Sequence, residues 1–165
     1  MYVAENYFDK DSFKLALNGD GNYPGFLGII DDFGLSKTAN LAHYYAGICY
    51  KNLGQYEEAI GHLKKYDGKD HMISDIALGS IGDCYAELGN NDEALKYYQL
   101  AAKNSPNDFT SPIYLLRAGV LFEQTGNYAK ALEMYEKIDT EFSKSDEAQQ
   151  IDKYIERAKL KGNLK

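Results

Sequence analysis

The sequence predicts an all-α fold, an α-solenoid of stacked helical hairpins closed by a C-terminal capping helix. Three observations predict it. Residues 42–60 (AHYYAGICYKNLGQYEEAI), 77–95 (ALGSIGDCYAELGNNDEAL) and 114–132 (YLLRAGVLFEQTGNYAKAL) repeat one pattern. Gly47, Gly82 and Gly119 lie 35 and then 37 residues apart, and Gly54, Gly89, Gly126 and Ala59, Ala94, Ala131 keep the same offsets. A period of this length marks hairpins that bury their apolar faces by stacking. Finally, 165 residues suffice for a core, Pro is confined to Pro24, Pro106 and Pro112, and the longest apolar run, FLGII at 26–30, is too short to span a bilayer.

The elements follow in order. The stretch YVAENYFDKDSFKLAL reads as helical from its second residue, and Ala4, Tyr7, Phe13 and Ala16 keep the offsets of the later units. The second helix of this degenerate first unit (1–35) is broken by NGDGNYPG at 18–25, and a further helix, GFLGIIDDF, is expected before Ser36. Ala16 to Ala59 is 43 residues, an insertion of about nine over a 34-residue repeat. On this register Met1 opens the chain inside a helix, so a preceding segment is expected. Three units follow at 39–72, 74–107 and 111–144. In each, the first glycine and the alanine are expected to face each other across the hairpin. The second glycine ends the first helix, where a left-handed residue is least costly as Gly. Tyr50, Tyr85 and Phe122, three residues after the first glycine, fill the space between the helices. Ser74 and Ser111-Pro112 are expected helix starts. The second helices open after Gln55, Asn90 and Asn127, and Pro106 helps to stop the second hairpin. The final helix, within 145–163, carries Ile151, Tyr154, Ile155 and Ala158 at helical spacing and caps the stack.

These residues resemble the tetratricopeptide repeat, a 34-residue helix-turn-helix. Its small, aromatic, Gly, aromatic, Ala and aromatic-or-Leu positions are met by Gly47, Tyr50, Gly54, Tyr56, Ala59 and Leu63, then by Gly82, Tyr85, Gly89, Ala94 and Tyr98 with Pro106 closing the unit, and by Gly119, Phe122, Gly126, Tyr128, Ala131 and Tyr135. Asn91 replaces one aromatic, and the second linker, NSPNDFTS, is slightly long. The resemblance implies a right-handed solenoid that binds protein. The phrases IIDDFGLSKTANLAHYYAGICY, SPIYLLRAGV and AQQIDKYIERAKL further resemble membrane-anchored, YfgM-like repeat proteins of the Bacteroidetes type. That resemblance implies an N-terminal anchor and a location on the periplasmic side of a bacterial inner membrane; without it the expectation is cytoplasmic.

Composition and motifs exclude several functions. A net charge of −7, with no clustered Lys and Arg, makes a poor nucleic-acid binder. Cys49 and Cys84 form no CxxC pair and fall at equivalent, packed helix positions, so buried inert thiols are expected. His43, His62 and His71 lack metal-ligand spacing and read as structural or surface groups. NGDGNYPG resembles a calcium loop through Asn18, Asp20 and Asn22, but its twelfth position is Ile29, not Glu. No phosphate-binding, nucleophile-elbow or catalytic constellation is present, and neither a metal nor a cofactor is expected. The informative surface is the groove that the resemblance assigns to the first helices. Leu41, Tyr44, Ile48, Ile76, Asp83, Ile113, Leu116 and Val120 are its candidate binding residues, an apolar floor with an acidic rim that includes Glu87 and Glu123. Lys51, Asn52, Gly79, Ala86 and Gln124 complete the expected lining. An apolar or amphipathic partner segment is the expected ligand. The alternative is a self-association module that clusters a membrane-tethered protein, with the groove filled by a second copy or by the chain's own insertion.

Overall fold

The computed structural model of the chain describes residues 1–34 and 36–165; Leu35, the last residue of the expected first unit, lies outside them. Helices α1 (Tyr2–Phe8) and α2 (Phe13–Asn18) form a short hairpin, followed by a loop and α3 (Phe26–Phe33). Three longer hairpins follow: α4 (Lys37–Asn52) with α5 (Tyr56–Leu63), α6 (His71–Glu87) with α7 (Asn91–Asn104), and α8 (Ser111–Gln124) with α9 (Tyr128–Glu141). A 3₁₀ turn at Ala148–Gln150 leads into α10 (Ile151–Gly162), which packs on α9. The elements stack in chain order, so the fold is an all-α solenoid.

The turns explain the hairpins. Gly54, Gly89 and Gly126 hold φ of 75°, 74° and 78°, and the residue after each donates its backbone N–H to the Tyr50, Tyr85 or Phe122 carbonyl. Asp11, at the same offset after Ala4, takes φ 55°. It breaks the stretch expected as helical from its second residue into α1 and α2. Aspartate tolerates this left-handed conformation better than most side chains, because it is short and polar.

The first glycine of each pair has a different partner from the one expected. A Cβ on Gly47, Gly82 or Gly119 would lie 2.5, 2.7 or 2.3 Å from the side chain of Leu63, Tyr98 or Tyr135. The Ala94 carbonyl is farther from that Gly82 position, at 3.3 Å. The glycine therefore makes room for a large side chain sixteen residues on, and the alanine is a secondary contact.

Two expected helix starts are also corrected. Asp70, not Ser74, caps α6, accepting from the Ile73 N–H at 3.0 Å; the Ser74 hydroxyl donates to the Gly68 carbonyl instead. Thr110, not Ser111, precedes α8, and the Ser111 hydroxyl turns back to accept from Asn107 N–H at 3.1 Å. Ser36, Asn90 and Asn127 cap α4, α7 and α9 through their side chains.

The core runs along the stack in three clusters. One holds Ala4, Leu17, Phe26 and Ile29 against Ala42, Ala46 and Cys49 of α4. The second joins α5 to α6 through Ile60, Leu63, Ile81 and Cys84. The largest joins α7 to α10 through Tyr98, Tyr114, Phe122, Tyr135, Ile138, Ile151 and Ile155.

Candidate functional site

Helices α4, α6 and α8 present side chains to a shared trough, and one carboxylate organises its middle. Asp83 on α6 receives the Lys51 ammonium of α4 at 3.1 Å on one oxygen. The other oxygen accepts from the Tyr98 hydroxyl of α7 at 3.0 Å and from the Arg117 guanidinium of α8. The Arg117 guanidinium also lies 5.6 Å from the centre of the Tyr114 ring. That ring sits over Gly79, where any Cβ would collide with it, and stacks on Tyr98 at 6.4 Å. Burial pushes the Tyr98 and Tyr114 hydroxyls far above the usual phenol range, so both stay protonated donors.

Two hollows open on either side of this network. One, of about 320 Å³, is lined by Ala86, Tyr98, Leu116, Arg117, Val120, Leu121, Gln124 and Tyr154. The other, of about 450 Å³, is lined by Lys51, Asn52, Tyr56, Asp83, Glu87 and again Ala86, Tyr98 and Arg117. The shared residues make the two hollows one trough. Neither is lined by a residue of the 18–25 loop or of α3, which packs on α2 and α4 instead.

The groove residues expected from sequence thus separate. Leu116, Val120 and Asp83 line the hollows. Tyr44 and Ile48 pack against the cluster between α5 and α6, with Tyr44 also 5.6 Å from the Tyr66 ring. Ile113 packs against the large cluster. Leu41 and Ile76 are half-buried and line neither hollow. The rim expected to be acidic is largely neutralised. Asp83 holds two cations, and Glu123, whose side chain is 7% exposed, accepts both oxygens' worth of hydrogen bonds from Arg157 of α10, with Nε at 3.1 and 3.0 Å. Tyr56, Tyr98, Arg117, Leu121 and Tyr154 line the hollows and Arg157 holds Glu123, none of them expected in the groove from sequence. Arg117 was findable, since it shares the face of Ile113 and Val120 on α8. Tyr154 and Arg157 were not, because their place depends on how α10 docks.

The other candidates for chemistry are occupied structurally. Burial pushes the Cys49 thiol up to about 12 and Cys84 up to about 11, so neither forms a nucleophilic thiolate near neutral pH. His43 and His62 face each other with their Nδ1 atoms 3.1 Å apart. Asp20 accepts from the Tyr7 hydroxyl and the Asn22 and Tyr23 amides at 2.7–2.9 Å, which closes the loop resembling a calcium site. Among the described residues no group of three His, Cys, Asp or Glu side chains could hold a metal ion, and no helix is long and apolar enough to cross a membrane.

Known proteins of the same architecture exist. A crystal structure of MamA superposes with a TM-score of 0.69 at 18% identity, covering 99% of this chain and 96% of that one. A second MamA structure gives 0.69 at 19% identity, over 99% and 90%. The Yersinia enterocolitica type III secretion translocator chaperone SycD gives 0.60 at 20% identity, over 82% and 94%. At these identities the likeness shows the fold, a right-handed α-solenoid. No curated protein sequence matches the chain. Two family models do, both described as tetratricopeptide repeat, one over residues 41–67 and one over 76–138. Matched by them over more than half its length, the chain belongs to the tetratricopeptide repeat proteins.

Proposed function

We propose that the chain is a non-catalytic scaffold that holds an apolar or amphipathic segment of a partner protein along the trough between α4, α6 and α8. The observation that carries this reading is a hollow open to solvent and floored by Ala86, Leu116, Val120 and Leu121, which adjoins a second, more polar hollow through Ala86, Tyr98 and Arg117. A helix or extended segment laid along such a floor gains affinity by burying its apolar side chains, at roughly 25 cal/mol per Å². A neighbour of the same architecture, SycD, is named a translocator chaperone, which fits a role in holding another protein. The resemblance to membrane-anchored YfgM-like proteins extends the proposal: the trough would then face the periplasm, tethered by a preceding segment.

Val120→Asp tests the reading. Val120 lines the hollow and lies outside the buried clusters, whereas Ile48 is packed among them and would confound the test. A carboxylate on this apolar floor must be desolvated when an apolar ligand covers it, which opposes binding. The variant is expected to lose the partners that wild type captures from a native extract while its melting temperature stays close to wild type. Equal capture by both would place the binding surface elsewhere. If the occupant is a second copy, light scattering will detect a wild-type dimer that Val120→Asp dissociates.

A further inference from the structure

We infer that His43 and His62 form a site for a late first-row divalent transition-metal ion, Cu²⁺ or Zn²⁺, which clips α4 to α5 outside the trough. Three observations lead there. The two Nδ1 atoms face each other across the hairpin at 3.1 Å. Two imidazole nitrogens bound to one such ion at about 2.0–2.1 Å stand about 2.9 Å apart at a right angle and about 3.3 Å apart at the tetrahedral angle. The observed spacing lies between these values, so an ion can replace the one proton that the pair shares without rebuilding the hairpin. Both ligands are also held in place and in the right form. His62 packs 5.3 Å from the Tyr50 ring, and both imidazoles are half-buried. Burial first, with the positive charge of Lys65 adding to it, favours the neutral rings, the form that ligates. Lastly, His43 lines a polar hollow of about 400 Å³ together with Ser36, Asn40 and Asp67. The hollow admits the ion and the waters that complete its shell, because among the described residues no third His, Cys, Asp or Glu joins the pair. Lys37 and Lys65 line the hollow as well, but like Asp67 they are exposed, where solvent and salt screen their charge. Imidazole ligands select Cu²⁺ above Zn²⁺ and disfavour Mg²⁺ and Ca²⁺, which take oxygen ligands. Helix α5 is eight residues long, and an ion held by the folded pair alone stabilises its docking by mass action.

Calorimetric titration with Cu²⁺ near neutral pH, with Mg²⁺ as the control, tests the site. Wild type should take up one Cu²⁺ per chain and no Mg²⁺. His43→Gln and His62→Gln should each weaken Cu²⁺ binding by about tenfold or more, the loss that even an outer partner of a ligand causes. His71→Gln, at the exposed histidine that opens α6, should bind as wild type does. Zn²⁺ at about a hundred times its Kd should raise the wild-type melting temperature by about 5–10 °C, and the shift should vanish in either pair variant. A wild-type measurement guards against variants that fold poorly: substoichiometric Cu²⁺ should broaden the ring-proton resonances of His43 and His62 before those of His71. Absence of Cu²⁺ binding, affinity unchanged by loss of either paired histidine, or broadening that begins at His71 overturns the site. Binding at the pair that leaves the melting temperature unmoved overturns the clip.

Discussion

At the scale of single residues, the stack depends on where side chains are missing. Gly82 lacks a Cβ because the Tyr98 ring fills its space at 2.7 Å, and Tyr98 is itself held by its hydroxyl on Asp83. The ring cannot swing aside without breaking that bond, so Gly82→Ala is expected to cost about 1–3 kcal/mol, the range for overpacking. Gly61, inside α5, meets nothing within 4 Å where its Cβ would go. Gly61→Ala should therefore stabilise by about 0.5–1 kcal/mol, since glycine is the poorer helix former. Opposite shifts in melting temperature check the pair; a loss at both positions would refute the packing argument. The histidines make a second residue-scale prediction. Burial, then the charge of His43, then that of Lys65 lower the His62 pKa to about 4, and burial with Lys65 lowers His43. Lys37 and Asp67 face His43 across the adjoining hollow, and Tyr50 packs 5.3 Å from His62. The unfolded chain takes up these protons near pH 6.5, before the folded chain does. Stability must then fall as pH drops from about 6.5 toward 4, and hold above that window. Thermal melts across this range should show a shallower decline in His62→Gln than in wild type. Parallel curves would mean the pair is not coupled to folding.

At the scale of elements, the joints between hairpins are built from polar groups that no local pattern announces. Asp75 on α6 is fully buried and accepts from Asn104 at the end of α7 at 2.8 Å, from Thr110 at 2.9 Å and from Asn107 at 3.4 Å. It thereby fixes the long second linker, and Asn107 completes the turn by accepting the Phe109 and Thr110 amides at 2.8 Å. Asp75→Ala removes the acceptor that the buried Thr110 hydroxyl shares with Asn104 and Asn107, and should cost about 3 kcal/mol, against about 1 kcal/mol for Thr110→Val. Denaturant unfolding measures both, and an Asp75→Ala protein as stable as wild type would show that the linker is held by other contacts. The contrast with what the sequence disclosed is instructive. Gly54, Gly89, Gly126, the buried Ala59, Ala94 and Ala131, and the second-helix starts after Gln55, Asn90 and Asn127 were legible, because each satisfies a local demand repeated three times. Ser74 and Asp70 are both good caps one turn apart, and the Asp70 bond from the Ile73 amide together with the Ser74 bond to Gly68 decides between them. Asp75, Asp83 and the His43–His62 pair join residues 15 to 35 positions apart, so their partners emerge only when hairpins dock. The groove was half legible for the same reason. Helical spacing put Leu116 and Val120 on the face of α8 that lines the hollow, but could not tell that Ile113 on the same face packs against the core.

At the scale of the whole molecule, a solenoid is a one-dimensional object in which each hairpin is supported by its neighbours. The last hairpin has support on one side from α6–α7 and on the other only from α10. Ile151, Ile155 and Ala158 of α10 are buried in the large cluster with Tyr135, Ile138 and Phe142. Each of the two isoleucines contributes roughly 1.5–3 kcal/mol by burial. Arg157 adds the pairing of Glu123, and Tyr154 adds a wall of the hollow. A chain ended at residue 144 should therefore lose stability unevenly. Hydrogen exchange is expected to accelerate in α8 and α9, where the apolar face is uncovered and Glu123 is left without its guanidinium. The α4–α5 hairpin, two neighbours away, should keep its protection, since coupling passes through contacts and weakens with each interface. Binding should fail together with the C-terminal protection, although Leu116, Arg117 and Val120 are all retained, because Tyr154 no longer closes the hollow. The comparison with Ile155→Asp separates covering from mere length: this substitution keeps α10 in the chain yet opposes its docking, and it should reproduce the same exchange pattern. If truncation instead melts all hairpins equally, the domain behaves as one cooperative unit and the nearest-neighbour description fails. If α8 and α9 stay fully protected, α10 is an appendage and not the wall on which the proposed trough depends.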